Sequence, residues 1–152
     1  MKSRENYSNS EFTKDGIIIA ITKPEDFSKQ KIIYREISEE MNAVLDSSGY
    51  FVNNKCYFVV GSKLSFLTLL FNSKLFTTSF LNYANITGGK GFDFLTKINV
   101  PPIIDINEQE CFLLLERIEN DPNNSKLVRE INLLINSYYK LNEEETNFIE
   151  SQ

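Results

Sequence analysis

The sequence predicts an α+β fold, with a β-rich N-terminal body followed by a mostly helical C-terminal half. Three observations predict it. Through about residue 60 the apolar residues come in short runs rich in Ile, Val, Tyr and Phe, without helical spacing. From Lys63 onward they recur every three or four positions. The two kinds of segment do not alternate, which argues against a doubly wound parallel sheet.

Residues 1–15 form a polar N-terminal segment. Gly16 to Thr22 (GIIIAIT) reads as a buried strand. Lys23 to Asp26 is a turn or polar link, and Lys31 to Ser38 (KIIYREIS) a second strand. Ala43 to Asp46 is a short third, closed by an Asp46-Ser47-Ser48-Gly49 turn. Tyr50-Phe51-Val52 and Cys56 to Val60 read as two strands joined by a hairpin tip at Asn53-Asn54-Lys55, because Asn tolerates the left-handed backbone of a tight turn. Tyr50, Tyr57 and Phe58 are assigned to the core.

Lys63 to Asn82 reads as one helix with an inward face of Leu64, Leu67, Phe71 and Leu75. Asn85 to Asp93 (NITGGKGFD) reads as a flexible loop. Phe94, Leu95, Ile98 and Val100 return to an apolar pattern, and Pro101-Pro102 fixes an extended segment. Three helices follow. Asn107 with Glu110 is a capping signature for the first, with Phe112, Leu115 and Ile118 inward. Asp121 to Ser125 breaks the chain, and Leu127, Ile131, Leu134 and Tyr138 mark the second. Asn142 with Glu145 caps the third, with Phe148 and Ile149 inward. The acidic residues Glu143 to Glu145 complement that helix's dipole, which explains them without a metal.

Composition narrows the function. The chain contains no His and two Cys, so it has no imidazole base, no Ser–His or Cys–His pair and no structural zinc set. Cys56 and Cys111 are expected to be buried, reduced thiols. The six Gly form no phosphate-binding motif. Apolar stretches fall short of the roughly 18–20 residues of a membrane span, and the polar N-terminus does not resemble a signal peptide, so a cytoplasmic protein with no membrane contact is expected. No catalysis by this chain alone is expected; a binding role is.

The net charge is −5, but it is unevenly spread. Residues 1–104 hold 12 basic and 10 acidic residues, whereas 105–152 hold 4 basic and 11 acidic. A mildly basic body therefore precedes an acidic tail. That division suits a face for phosphates with the acidic segment pointing elsewhere, and also suits an ordinary solvated surface.

The run KIIYREISEEMNAVLDSSGYFVNNKCYFVVG, then Leu69-Leu70-Phe71-Asn72-Ser73-Lys74-Leu75-Phe76, the Gly-rich Thr87 to Gly91, Pro101-Pro102, Glu108-Gln109 and Tyr139 to Glu145 appear in order. This set resembles the TaqI-like C-terminal specificity domain of adenine-specific DNA methyltransferases and type II restriction–modification enzymes. The resemblance runs over about 16–150 and implies one DNA target-recognition domain, β-rich over 16–61, helix and loop over 62–104, with acidic helices over 105–150. Two departures stand out. The family commonly has Gly where Lys140 stands, and Val100-Pro101-Pro102 lacks the usual Leu-Pro-x-Pro form. In such enzymes a separate domain binds S-adenosylmethionine and methylates a flipped adenine. Neither its cofactor motif nor its catalytic motif occurs here. The resemblance therefore implies double-stranded DNA and a methyltransferase domain or subunit as partners, and no cofactor in this chain.

Candidate base readers are Asn53, Asn54, Lys55 and Arg35: Asn pairs bidentately with adenine, and Lys or Arg reaches guanine. The Asn pair is equally well explained as turn chemistry, and Arg35, beside Glu36 and Glu39, is better explained as an ion-pair partner. Tyr34 is a further contact candidate. Candidate phosphate ligands are Lys90 with Thr87, Gly88 and Gly89, whose amides a ligand approaches closely, and at lower rank Lys63 and Lys74. Two alternatives stand beside this reading: half of a type I specificity subunit, and an interaction module whose acidic helices dock a methyltransferase or nuclease.

Overall fold

The computed structural model describes residues 24–38, 41–53, 55–81, 85–86, 92–93 and 105–152; the strand expected over 16–22 and the segment over 94–104 lie outside them. The first described element is a 3-10 helix, Pro24–Ser28, where a turn was expected. Strands β1 (Lys31–Arg35) and β2 (Ile37–Ser38) follow, then β3 (Val44–Asp46) and β4 (Cys56–Val59). They build an α+β fold from two small antiparallel sheets, β3-β1-β4 and β2-β6-β5, with β5 being Asn85–Ile86 and β6 Phe92–Asp93.

The single strand expected over 31–38 is therefore two strands in different sheets. At the bend the Glu36 amide donates to the Lys55 carbonyl (3.0 Å), and the chain then leaves β4 for β6. The loop expected over 85–93 contains an antiparallel pair, with Asn85 opposite Asp93 and Ile86 opposite Phe92. The expected strand at Tyr50 to Val52 does not form. β4 pairs with β1, Tyr34 facing Tyr57 and Arg35 facing Cys56, so there is no hairpin centred on Asn53.

Strand alternation gives the first sheet two different faces. Ile32, Tyr34 and Val59 turn inward and are buried in the main core, with Leu45 and Tyr57 packed against it. Lys31, Ile33, Arg35, Val44, Asp46, Cys56 and Phe58 share the outer face by register. At one end of that face Lys31 is fully buried; it pairs with Asp46 and donates to the Phe27 carbonyl (2.7 Å), which fastens the 3-10 helix to the sheet.

The helix expected over 63–82 is broken in two, α1 (Leu64–Phe71) and α2 (Lys74–Leu81). The break is held by polar side chains. Asn72 accepts from the Ala43 amide and donates to its carbonyl (2.7 Å each). Ser73 Oγ accepts from the Phe76 amide (3.1 Å), and Asn132 Oδ1 accepts from the Lys74 amide (2.9 Å). Asn-Ser is N-cap chemistry, and here it overrides the apolar period. All eight residues of α1 are buried, so it is the central core helix and has no solvent face. Sheet and helices cover it from different sides: Tyr34 meets Phe71 edge-on, and Phe66 meets Tyr138.

Three helices follow Asn107 as expected: α3 (Glu108–Asn120), α4 (Ser125–Tyr138) and α5 (Glu143–Glu150). Asn107, Asn124 and Asn142 cap them, the last in a reciprocal capping box with Glu145. Leu115, Leu127, Ile131 and Ile149 are buried as expected. Phe112 and Phe148 are instead exposed, and Cys111, Leu114 and Ile135 take the inward positions. α1 has no side-chain cap of its own; Glu108, on α3, accepts from the Ser65 (2.7 Å) and Phe66 (3.2 Å) amides. Lys140 lies in the left-handed region (φ 56°) where α4 ends, with the Leu141 amide returning to the Asn136 carbonyl (3.1 Å). This backbone favours Gly, the residue the resemblance leads one to expect there. Among the described residues no helix is long and apolar enough to cross a membrane.

Candidate nucleic-acid interface

The bend between the two sheets brings three of the sequence candidates together. Arg35 ends β1 on the outer face, opposite Cys56. Lys55 directly precedes β4. Asn53 Oδ1 accepts from the Lys55 amide (2.9 Å), and the Asn53 carbonyl accepts from the Cys56 amide (3.2 Å). Arg35, Asn53 and Lys55 are all exposed. Arg35 has no ion pair among the described residues; Glu39, its expected partner, lies outside them. Asn53 does perform turn chemistry, through its amide oxygen, and the residue as a whole is exposed. Glu36 stands half-buried at the same corner.

Other candidates are placed differently. Lys74 Nζ donates to the Glu150 carbonyl (2.5 Å), so this half-buried cation ties the start of α2 to the end of α5. Lys63 is exposed and occupies the left-handed N-cap position of α1 (φ 58°), remote in sequence from the corner. Tyr34 is buried in the core, and burial pushes its phenol far above the usual range. Asn54, Thr87, Gly88, Gly89 and Lys90 lie outside the described residues. Their attachment points are described: β5 and β6 flank 87–91, and β2 pairs with β6. From Arg35 to Ser38, opposite Phe92, is about 10 Å along the chain at roughly 3.3 Å per residue. The basic corner and the 87–91 connection thus belong to the two ends of one short strand.

Sequence reasoning missed the aromatic residues on the outer face of the first sheet. Gly49 adopts φ 77°, and Asp46 accepts from the Ser48 (2.8 Å) and Tyr50 (3.0 Å) amides. This turn carries the next residues across the outer face. Phe58 is buried there under Phe27 (ring centroids 5.0 Å), and Phe51 stacks on Phe27 (4.9 Å, 26° between planes). Tyr50 is 68% and Phe51 80% exposed, correcting the assignment of Tyr50 to the core. The signal was the density of aromatics at 50, 51, 57 and 58, which alternation alone assigns to a strand interior.

Ionisation at the site follows from its contacts. Burial raises the Asp46 carboxyl, but the Lys31 ammonium and the two amides outweigh it and hold the group below the usual carboxylate range. Cys111 is buried and its thiol is pushed up to about 11, which leaves it inert as a nucleophile. Cys56 is only half-buried, unlike the expectation.

Residues 2–101 match the family model of the TaqI-like C-terminal specificity domain. The match ends before α3, so the Glu108-Gln109 and Tyr139 to Glu145 elements lie beyond it. No curated protein sequence matches the chain.

Proposed function

The chain belongs to the family of TaqI-like C-terminal specificity domains, and from that premise we propose that it recognises DNA sequence for a restriction–modification enzyme whose chemistry is carried out elsewhere. The carrying observation is the family match, which takes in both small sheets and the corner between them. Arg35 and Asn53 offer donors suited to guanine and adenine edges, and Lys55 offers charge to a phosphate. The 87–91 connection, with Lys90 and its neighbouring Gly residues, supplies a second phosphate contact on the same reading. S-adenosylmethionine and the methyl-transfer step then belong to an adenine-specific methyltransferase domain or subunit, with this chain non-catalytic by itself.

A second contact is favoured by one observation. The helices α3 to α5 lie beyond the family match and carry most of the acidic excess. Acidic helices repel a duplex, so their role on this reading is to dock the methyltransferase partner.

The test is selection from a random-sequence duplex pool, followed by titration of the enriched sequence against a shuffled one over a salt series. Enrichment of a defined sequence, with affinity falling as salt rises, is the expected result. Equal retention of all sequences would remove the recognition reading and leave docking by the acidic helices.

A further inference from the structure

The second sheet, β2-β6-β5, carries a row of residue types that strand formation does not explain. Register makes Ile37, Asp93 and Asn85 cross-strand partners, with Ser38, Phe92 and Ile86 as the neighbouring row. Partners in a row share one face of a sheet, and successive rows take opposite faces. Ile37 is 52% exposed while Ser38 is half-buried, which places the row of Ile37, Asp93 and Asn85 on the open face. Asp and Asn are depleted from strands, yet here they stand opposite each other in a paired one. Turn chemistry does not account for them, because the pair that flanks the 87–91 connection is Ile86 with Phe92. Asp93 is also the only acidic residue between Asp46 and Asp105, a stretch that holds five Lys. A carboxylate in such a setting repels a duplex unless a base amino group donates to it. The dimensions suit a groove. Strands lie about 4.8 Å apart, so the row is about 10 Å long, against a major groove about 12 Å wide. The exposed Arg35 comes two residues before Ile37, and the family match takes in all three strands.

We propose that this row reads base edges in the major groove: Asp93 accepts from the N4 amino group of a cytosine, Asn85 pairs with an adenine, and Ile37 packs on a thymine methyl group. This rests on the DNA-recognition reading and names residues that set which sequence is read. Asp93 discriminates by charge, since guanine, thymine and adenine all present acceptor atoms on that edge that a carboxylate disfavours.

The test repeats the selection from a random-sequence duplex pool with the whole chain and its variants, then titrates the enriched duplex over a salt series. The wild type is expected to enrich a sequence containing a cytosine whose replacement weakens binding about fivefold or more. Asp93→Ala should lose the preference at that position alone. Asp93→Asn, which keeps the shape of the side chain, should move it toward adenine. The salt slope should stay as in the wild type, since the row meets no phosphate. Ile37 is exposed, so Ile37→Ala gives a readout independent of how the Asp93 variants fold: replacing one thymine by uracil deletes only a methyl group, and should weaken binding to the wild type but not to Ile37→Ala. Enrichment of the wild-type sequence, undiminished, by both Asp93 variants would overturn the row while DNA recognition stood, as would a uracil penalty retained in Ile37→Ala. Tighter binding of every duplex alike by Asp93→Ala would show Asp93 to be a repelling surface charge instead. If the wild type enriches no sequence, the DNA reading itself fails, and the row with it.

Discussion

Lys31→Met tests the clamp that holds the aromatic loop in place. Lys31 is fully buried, pairs with a buried Asp46 and also donates to the Phe27 carbonyl. Methionine keeps most of the apolar stem and removes the ammonium. Removing one member of a buried pair costs about 3–5 kcal/mol, because the other charge stays desolvated. Here Asp46 keeps two amide donors, from Ser48 and Tyr50, so the lower end applies, at about 3 kcal/mol. For a chain of this length each kcal/mol moves the midpoint by about 2–4 °C, so Tm should fall by roughly 6–12 °C. Urea denaturation followed by circular dichroism gives the free energy, and a thermal scan gives the midpoint. A pH series adds an independent arm. The Asp46 carboxyl is lowered from its usual 3.8, so its stabilising contribution is complete above that value and disappears as pH falls through the lowered one. In Lys31→Met burial remains while the ammonium is gone, so the Asp46 carboxyl rises and the stability deficit against the wild type should shrink as pH falls through the acid limb. A loss below about 1 kcal/mol with an unchanged acid limb would show the pair to behave like an exposed one, and the clamp argument would fail.

Glu108→Ala should cost about 1–3 kcal/mol in urea titration, since it leaves the Ser65 and Phe66 amides at the buried start of α1 without an acceptor, whereas Glu108→Gln should lose less. Lys140→Gly should stabilise by about 0.5–1 kcal/mol, because relief of the left-handed strain exceeds the added chain entropy; destabilisation would mean that the Lys140 side chain makes a contribution of its own. In DNA titrations over a salt series, Arg35→Ala and Lys55→Ala should each lower the slope of log K against log salt by about 1 if the residue meets a phosphate, while an Arg35 that reads a base should show reduced sequence discrimination instead. Lys74→Ala should leave that slope as it is, because its ammonium is already bound to the Glu150 carbonyl; an equal loss of slope would return Lys74 to the interface.

The features that local sequence determined are those in which a residue's effect is spent on its near neighbours. Asn107 and Asn142 cap their helices from within one turn, Asp121 to Ser125 breaks α3 from α4, and the turn at Asp46 is closed by Asp46 itself. The change from runs of β-branched and aromatic residues to helical spacing likewise marked the α+β order, and the ordered motifs through residue 101 marked the family. What tertiary structure decided depends on partners far along the chain. The strand over 31–38 divides because Lys55 and Phe92 compete for its two halves. The helix over 63–82 divides because Ala43 and Asn132 satisfy the polar groups at its break. α1 shows no amphipathic face because it is enclosed from more than one side. Arg35 and Lys74 were both candidate DNA contacts in the sequence, Lys74 at lower rank; in the fold Lys74 reaches the end of α5 and Arg35 is exposed at the corner of two sheets. Phe51 carries the same pattern as a core aromatic. Only the tertiary structure leaves it on the outer face, because the turn after Asp46 carries residues 50 and 51 out of the sheet and Phe27 offers the ring a partner there.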